Sequence, residues 1–200
     1  MFKKAILKSL LVICCSAALI SCGDSKGGGT AEFNTVYATA NGPTSSLDAD
    51  VAKWVDAKGT AATACIAGSS PSISPDVIEV AISTVAYSGV TNPSKLYING
   101  YRMVFTPADS LTPALPPLFQ TQYQPVGQTI NAGTAATVSV RVATHEIKDY
   151  LQPVLNCNGT IYNYDVTISF DAVELDTNRS GSVDTTKMRV RFADFADKSN

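Results

Sequence analysis

A chain of 200 residues with 17 acids, 15 basic residues and a single histidine already excludes some functions. A net charge of −2 supplies no basic face for nucleic-acid phosphates, and one histidine rules out zinc or haem-iron sites built on several. The length fits one domain of about 150 residues behind a leader, enough to bury roughly two thirds of its unfolded surface without a stabilising metal.

Residues 1–21 have the three parts of a secretory signal. Lys3, Lys4 and Lys8 give the positive start, Leu10 to Ile20 the apolar middle, and small Ser21 the approach to Cys22. The apolar run is too short for a comfortable membrane span. Leu19-Ile20-Ser21-Cys22 resembles the lipobox of bacterial lipoproteins, whose cysteine is acylated and becomes the first residue of the mature chain. Cys14 and Cys15 follow Ile13 and Cys14, where the processing enzyme wants a small residue, so Cys22 is the expected lipidation site. The resemblance implies a lipid anchor in the bacterial envelope. In such families an aspartate directly after the cysteine often marks inner-membrane retention. Gly23 holds that place here and Asp24 comes one later, which points to the outer membrane.

Removal of residues 1–21 takes three lysines and no acid, so 15 basic residues fall to 12 against 17 acids and the net charge moves from −2 to −5. It also takes two of the five cysteines, and lipid takes Cys22, which leaves Cys65 and Cys157. In an oxidising exported compartment two remaining thiols pair. No Cys-x-x-Cys motif suggests a redox or metal role, so a structural disulfide is expected. A bridge across a loop of that length contributes about 4–5 kcal/mol in the chain-entropy model.

After the cysteine, the glycine-rich stretch through Gly27-Gly28-Gly29 reads as a flexible tether. The expected layout is a signal peptide over 1–21, lipidated cysteine and tether over 22–43, and one folded domain over 44–196. Within that domain the hydrophobic period is two. Leu47, Ala49 and Val51 alternate with Asp48 and Asp50; Thr60 to Ile66 suits a strand carrying Cys65; Ile78, Val80 and Ile82 mark another. Leu96 and Ile98 are followed by Tyr101, Met103 and Phe105, a change of phase that predicts a β-bulge at Gly100. Pro107, Pro113, Pro116, Pro117 and Pro125 forbid a central strand through most of 107–136. Val138, Val140 and Val142 resume strand character. Thr144 caps a short helix from His145 to about Gln152, with Ile147, Tyr150 and Leu151 on one side and Pro153 at its end. Alternation is cleanest from Tyr162 to Asp171 and returns at Met188, Val190 and Phe192. These elements predict an all-β, antiparallel two-sheet sandwich of immunoglobulin-like or fibronectin-like topology with one short helix. A closed barrel is the alternative.

Several residues are candidates for chemistry. His145 is the one possible histidine base, and Glu146 beside it does not share its helix face. No serine lies in Gly-x-Ser-x-Gly and no cysteine is left as a nucleophile, so the chain is not expected to be an enzyme. Lys187, Arg189 and Arg191 form a basic stripe, which ion pairs with Asp165 and Asp171 on the neighbouring strand would explain. Phe119 and Tyr123, in the proline-rich segment, are candidates for a sugar ring or a partner surface. The alternative is burial of that loop together with Leu111, Leu115 and Leu118. Asp176, Asn178, Ser180 and Asp184 resemble the front of an EF-hand or dockerin calcium loop. Lys187 stands where the bidentate glutamate belongs and no helices flank the run, so a turn between strands, with calcium binding no tighter than about 10⁻⁴ M, is expected.

The expected function is that of a lipid-tethered binding module at the membrane, with an envelope protein or a glycan as partner, no nucleic acid and no cofactor beyond weak calcium. A carbohydrate-binding module is the second reading. The cysteine arithmetic is checked by labelling thiols in denatured, unreduced protein taken from its own compartment. Neither Cys65 nor Cys157 should react, and two labelled thiols would remove the bridge.

Overall fold

The computed structural model describes residues 29–55 and 70–195. In chain order the first strands are β1 (Thr30–Glu32), β2 (Val36–Asn41), β3 (Leu47–Asp50), β4 (Lys53–Val55), β5 (Ser70–Ser72), β6 (Asp76–Ala86) and β7 (Leu96–Pro107). A one-turn helix α1 (Pro117–Gln120) leads into β8 (Thr121–Ile130) and β9 (Ala135–Ala143). Helix α2 (His145–Leu155) follows, then β10 (Tyr162–Glu174), β11 (Arg179–Asp184) and β12 (Met188–Ala193).

Two main sheets share one core. The first has the order β1-β2-β6-β9 and the second β3-β12-β10-β7-β8, with β11 pairing the far half of β10; β4 and β5 form a small third sheet. Each strand turns alternate residues inward. Val80, Ile82, Val138 and Val140 from the first sheet and Ile98, Met103, Val166, Ile168 and Val190 from the second lie in one buried cluster. Full burial of such side chains contributes about 1.5–3 kcal/mol each. The expected all-β, two-sheet arrangement is therefore present. Pairing is antiparallel except between β12 and β3, which run parallel.

The folded region begins earlier than 44. β2 is an interior strand between β1 and β6, with Val36, Ala38 and Ala40 fully buried, so the expected tether over 22–43 is too long. The bulge lies where the phase changes: against β10, Gly100 pairs with Asp171 and Ile98 with Ala172, leaving Asn99 as the extra residue, while on the β8 side Asn99 faces both Val126 and Gly127. The proline-rich segment does contain a strand, β8, but at the edge of its sheet, where Pro125 costs no central ladder bond. There are two helices among the described residues, not one, and α2 runs past Pro153 to Leu155. Leu155 is fully buried, and Asn156 N–H donates to Gln152 O at 2.9 Å to close the last turn. Packing of that last turn outweighs the bond that proline lacks. Tyr150 lies half exposed; the buried face of α2 is Ile147, Lys148, Leu151 and Leu155, with Lys148 Nζ 2.8 Å from Asp76 Oδ2. Thr144 caps the helix as expected, its Oγ1 accepting from Ile147 N–H at 3.4 Å. The expected turn at 56–59 and strand at 60–66, with Cys65, lie outside the described residues, as do Cys22 and residues 1–28.

A buried carboxylate joins the sheets at one end. Glu174, at the end of β10, is 0% exposed and accepts hydrogen bonds from Asn34 N–H at 3.0 Å and Thr35 N–H at 2.8 Å. The hydroxyls of Thr35 and Thr177 also donate to it. Burial alone would raise its pKa. Hydrogen bonds from Thr177, Thr35 and the backbone of Thr35 and Asn34 more than offset that and hold the carboxyl below 4.5. A depressed folded pKa means that this stabilisation is complete above the unfolded pKa and is lost as pH falls through the folded one. Urea midpoints are thus expected to fall below about pH 4.5. Glu174→Gln should cost about 1.5–3 kcal/mol near neutrality, the worth of hydrogen bonds to a charged group, and flatten that acid limb. An unchanged acid limb in the variant would show that Glu174 does not carry it.

Candidate functional site

The proline-rich segment divides between burial and exposure. Leu115 is buried, and the preceding loop is held by Tyr164 OH donating to Pro113 O at 2.8 Å and Asn163 N–H to Thr112 Oγ1 at 2.9 Å. Leu111 is 84% and Leu118 76% exposed, so these two leucines are presented to solvent. Phe119, on α1, packs partly against the core and meets the Tyr150 ring at 5.4 Å between centroids. Tyr150 and Val154, four residues apart on α2, are both half exposed. Phe119 and Tyr150 thus meet across α1 and α2, with Val154 exposed one turn further along α2 and Leu118 exposed beside Phe119 in the chain.

Tyr123 and Phe119 come together. They line an open cleft of about 370 Å³ with Leu118, Thr121, Gln122, Gln124, Thr144 and Glu146. Gln122 Oε1 is buried there without a hydrogen-bond partner. Tyr123 is held against β7 because Gly100 has no side chain: a Cβ there would lie 2.5 Å from the Tyr123 hydroxyl and 2.5 Å from Gln124 O. The bulge glycine therefore serves to seat the tyrosine.

A second cleft, of about 530 Å³, shares Gln124 with the first and continues along β8 to Gln128. Its other wall is β9, through Thr137, Ser139 and Arg141, with Val77, Tyr101, Pro125, Val126 and Val138 between. Tyr101 reaches across from β7, its hydroxyl accepting from Arg141 N–H at 3.0 Å. Burial raises the Tyr101 pKa, partly offset by that bond and by the Arg141 charge, so the phenol stays protonated. The sandwich is thus open between β8 and β9. On the opposite side it is closed, where Gly29 N–H donates to Asp184 O at 2.8 Å and Phe33 packs on Gly181.

The other candidate residues are placed apart. His145 and Glu146 are exposed at the start of α2. Hydrogen bonds from the backbone N–H of Glu146 and from the Thr144 hydroxyl hold the Glu146 carboxyl below its usual range. The basic stripe is largely paired: Arg189 with Asp165 at 2.9 Å, as expected, and Arg191 with Asp48 through two bonds of 2.6 Å. Asp171 takes Arg102 instead, at 3.6 Å. The Asp176–Asp184 run is a β-hairpin. Asp176 and Asn178 sit in its turn, Asn178 at φ 55°, while Ser180 pairs with Val173 and Asp184 with Ser169. Ser180 and Asp184 are thus four positions apart on one strand, about 13 Å at strand rise. The structure does not gather the four oxygens. Cys157 lies just after α2 at φ 59°, and its expected partner Cys65 is outside the described residues.

Comparison of the chain with protein-family models, curated proteins and solved structures finds no match.

Gly100→Ala is expected to lower stability by about 1–3 kcal/mol, the range for overpacking, because the Gln124 carbonyl cannot swing aside as a side-chain end can. Tyr123→Ala in the same chain should recover only the part due to the ring. Equal stability of Gly100→Ala and wild type in urea titrations would contradict the close approach.

Proposed function

We propose that this chain is a lipid-anchored module of the bacterial envelope, held at the outer membrane through Cys22, that works by binding a protein partner. The observation that carries the reading is the apolar surface on α1 and α2, where Leu118 is 76%, Tyr150 48% and Val154 51% exposed. Exposed apolar groups gathered in one region mark interaction surfaces more often than scattered ones do. The immunoglobulin-like or fibronectin-like topology is part of the same proposal. It is supported by two facing sheets and by strands that cross between them, as β9 to β10 does through α2. Catalysis is not part of it: His145 is exposed and lines neither of the clefts described above.

A carbohydrate ligand is the second reading, favoured by one local feature. Tyr123, Phe119, Gln122 and Glu146 border one cleft, offering aromatic faces for sugar C–H groups and polar groups for hydroxyls. Two separate aromatics make a small platform for a polysaccharide.

The test is cross-linking of the intact lipoprotein in its own membranes, followed by mass spectrometry of captured material. Wild type should retain a protein that Leu118→Asp/Tyr150→Asp loses, and Cys22→Ala should leave the membrane fraction altogether. A glycan in place of a protein, lost with Tyr123→Ala, would move the second reading to first place.

A further inference from the structure

Edge strands expose a row of unpaired backbone donors and acceptors, and proteins usually blunt them. The two edges bordering the larger cleft are treated differently. β8 carries Pro125 and Gly127, both poor partners for a further strand. β9, Ala-Ala-Thr-Val-Ser-Val-Arg-Val-Ala, has no proline, no glycine and one charge in its 9 residues. Among the described residues nothing pairs with the side of β9 away from β6.

The direction of its free groups is fixed by one bond. Arg141 N–H points away from β6, to the Tyr101 hydroxyl. Pairing from Val77–Arg141 to Ala81–Thr137 is regular, so backbone direction alternates residue by residue. The N–H and C=O groups of Ser139 and Thr137 therefore point the same way as those of Arg141, outward at the cleft. Tyr101 occupies one donor and leaves the next two positions open. Arg141 also supplies a side chain to the cleft, and no carboxylate lies within ion-pair distance of it among the described residues.

We infer that this edge is a strand-addition site: an extended peptide segment of a partner protein pairs with β9 at Thr137 and Ser139 and places an acidic group on Arg141. Main-chain bonds would hold the segment and alternate side chains would enter the cleft between Val77, Val126 and Val138. The free backbone groups, at strand spacing, select an extended polypeptide rather than a sugar. The Arg141 guanidinium, which makes no close ion pair among the described residues and feels the Glu146 carboxylate only at longer range, selects its charge. A second copy of the chain fits less well, because antiparallel pairing about Ser139 would set Thr137 of one copy against Arg141 of the other, whose N–H is already taken.

The inference rests on the binding-module reading and names the class of ligand for it. Purified full-length lipoprotein in detergent is panned against a displayed library of random peptides about a dozen residues long, enough to span β9. Enriched peptides should carry an acidic residue and should slow hydrogen exchange at the Thr137 and Ser139 amides of the unmodified protein. Ser139→Pro removes a backbone donor directed away from β6 and also the hydroxyl bond to Glu79 Oε1, so it is compared with Ser139→Ala, which loses only the hydroxyl. Relative to that variant it should bind about tenfold more weakly, one hydrogen bond's worth. Arg141→Glu should weaken binding by a similar factor. The inference fails if no peptide is enriched, if bound peptides leave those amides unprotected, or if Arg141→Glu has no effect. It fails too if both amides are already protected in a dimer without peptide. Capture of a partner that depends on Leu118 and Tyr150 while these amides stay unprotected would sink the strand site and leave the module reading standing.

Discussion

Removing a carboxylate from water without a counter-charge costs many kcal/mol unless hydrogen bonds replace the lost solvation. Glu174 is fully buried, and its nearest replacement for water is two backbone N–H groups and two hydroxyls. Those donors come from the β1–β2 turn on one sheet and the β10–β11 turn on the other, so the sheets cannot separate at that end without stranding the charge. The network extends further. Ser94 N–H donates to Thr35 Oγ1 at 2.9 Å and Asp176 N–H to Ser94 Oγ at 3.0 Å, which ties in the start of β7. One consequence concerns the calcium-like run. Its turn donates, through the Thr177 hydroxyl, to an anion belonging to the protein itself. A turn shaped to surround a carboxylate has the opposite polarity to one shaped to surround a cation.

Much of the fold was legible wherever the period of two was carried by large side chains. Tyr162 to Phe170 reads as a strand from sequence because bulky and polar residues alternate without a break. The bulge at Gly100 was legible because the phase of that alternation changes there. β2 was not, although Val36, Ala38 and Ala40 alternate with Tyr37 and Thr39. Alanine adds too little hydrophobic contrast, and the glycine run before it reads as tether. Pro153 misled for another reason. A proline near the helix end loses one bond, and burial of Leu155 beyond it more than compensates.

The candidate site was legible in its residues and not in its arrangement. Phe119 and Tyr123 stand out by type, and the structure does place them on one cleft. The adjoining groove depends on Tyr101 spanning from one sheet to the edge of the other, a contact between residues 40 positions apart. No periodicity carries that information. Arg141 was overlooked because the stripe at 187–191 concentrates positive charge, yet Arg189 and Arg191 are neutralised by Asp165 and Asp48. Density of charge in sequence is a poor guide to availability of charge in the fold, since Arg141, outside that stripe, is in none of the ion pairs among the described residues.

The closed and open sides of the sandwich also bear on the proposed anchor. Gly29, the first described residue, is bonded to Asp184 on the side where β1 meets β11. In the first sheet β1 and β9 are opposite edges, three strand spacings or about 14 Å apart. A lipid on Cys22 would therefore pull on the closed side. The seven residues from Cys22 to Gly29 can extend no more than about 25 Å even when straight. With the proposed anchor at Cys22, the groove between β8 and β9 would lie across the domain from the attachment, which would then not sit at the edge proposed to receive a partner strand. The proposed pairing along β9 and the proposed anchoring at Cys22 would thus act on opposite sides of the fold, with the Glu174 network joining the β1–β2 turn to β10 on the anchored side.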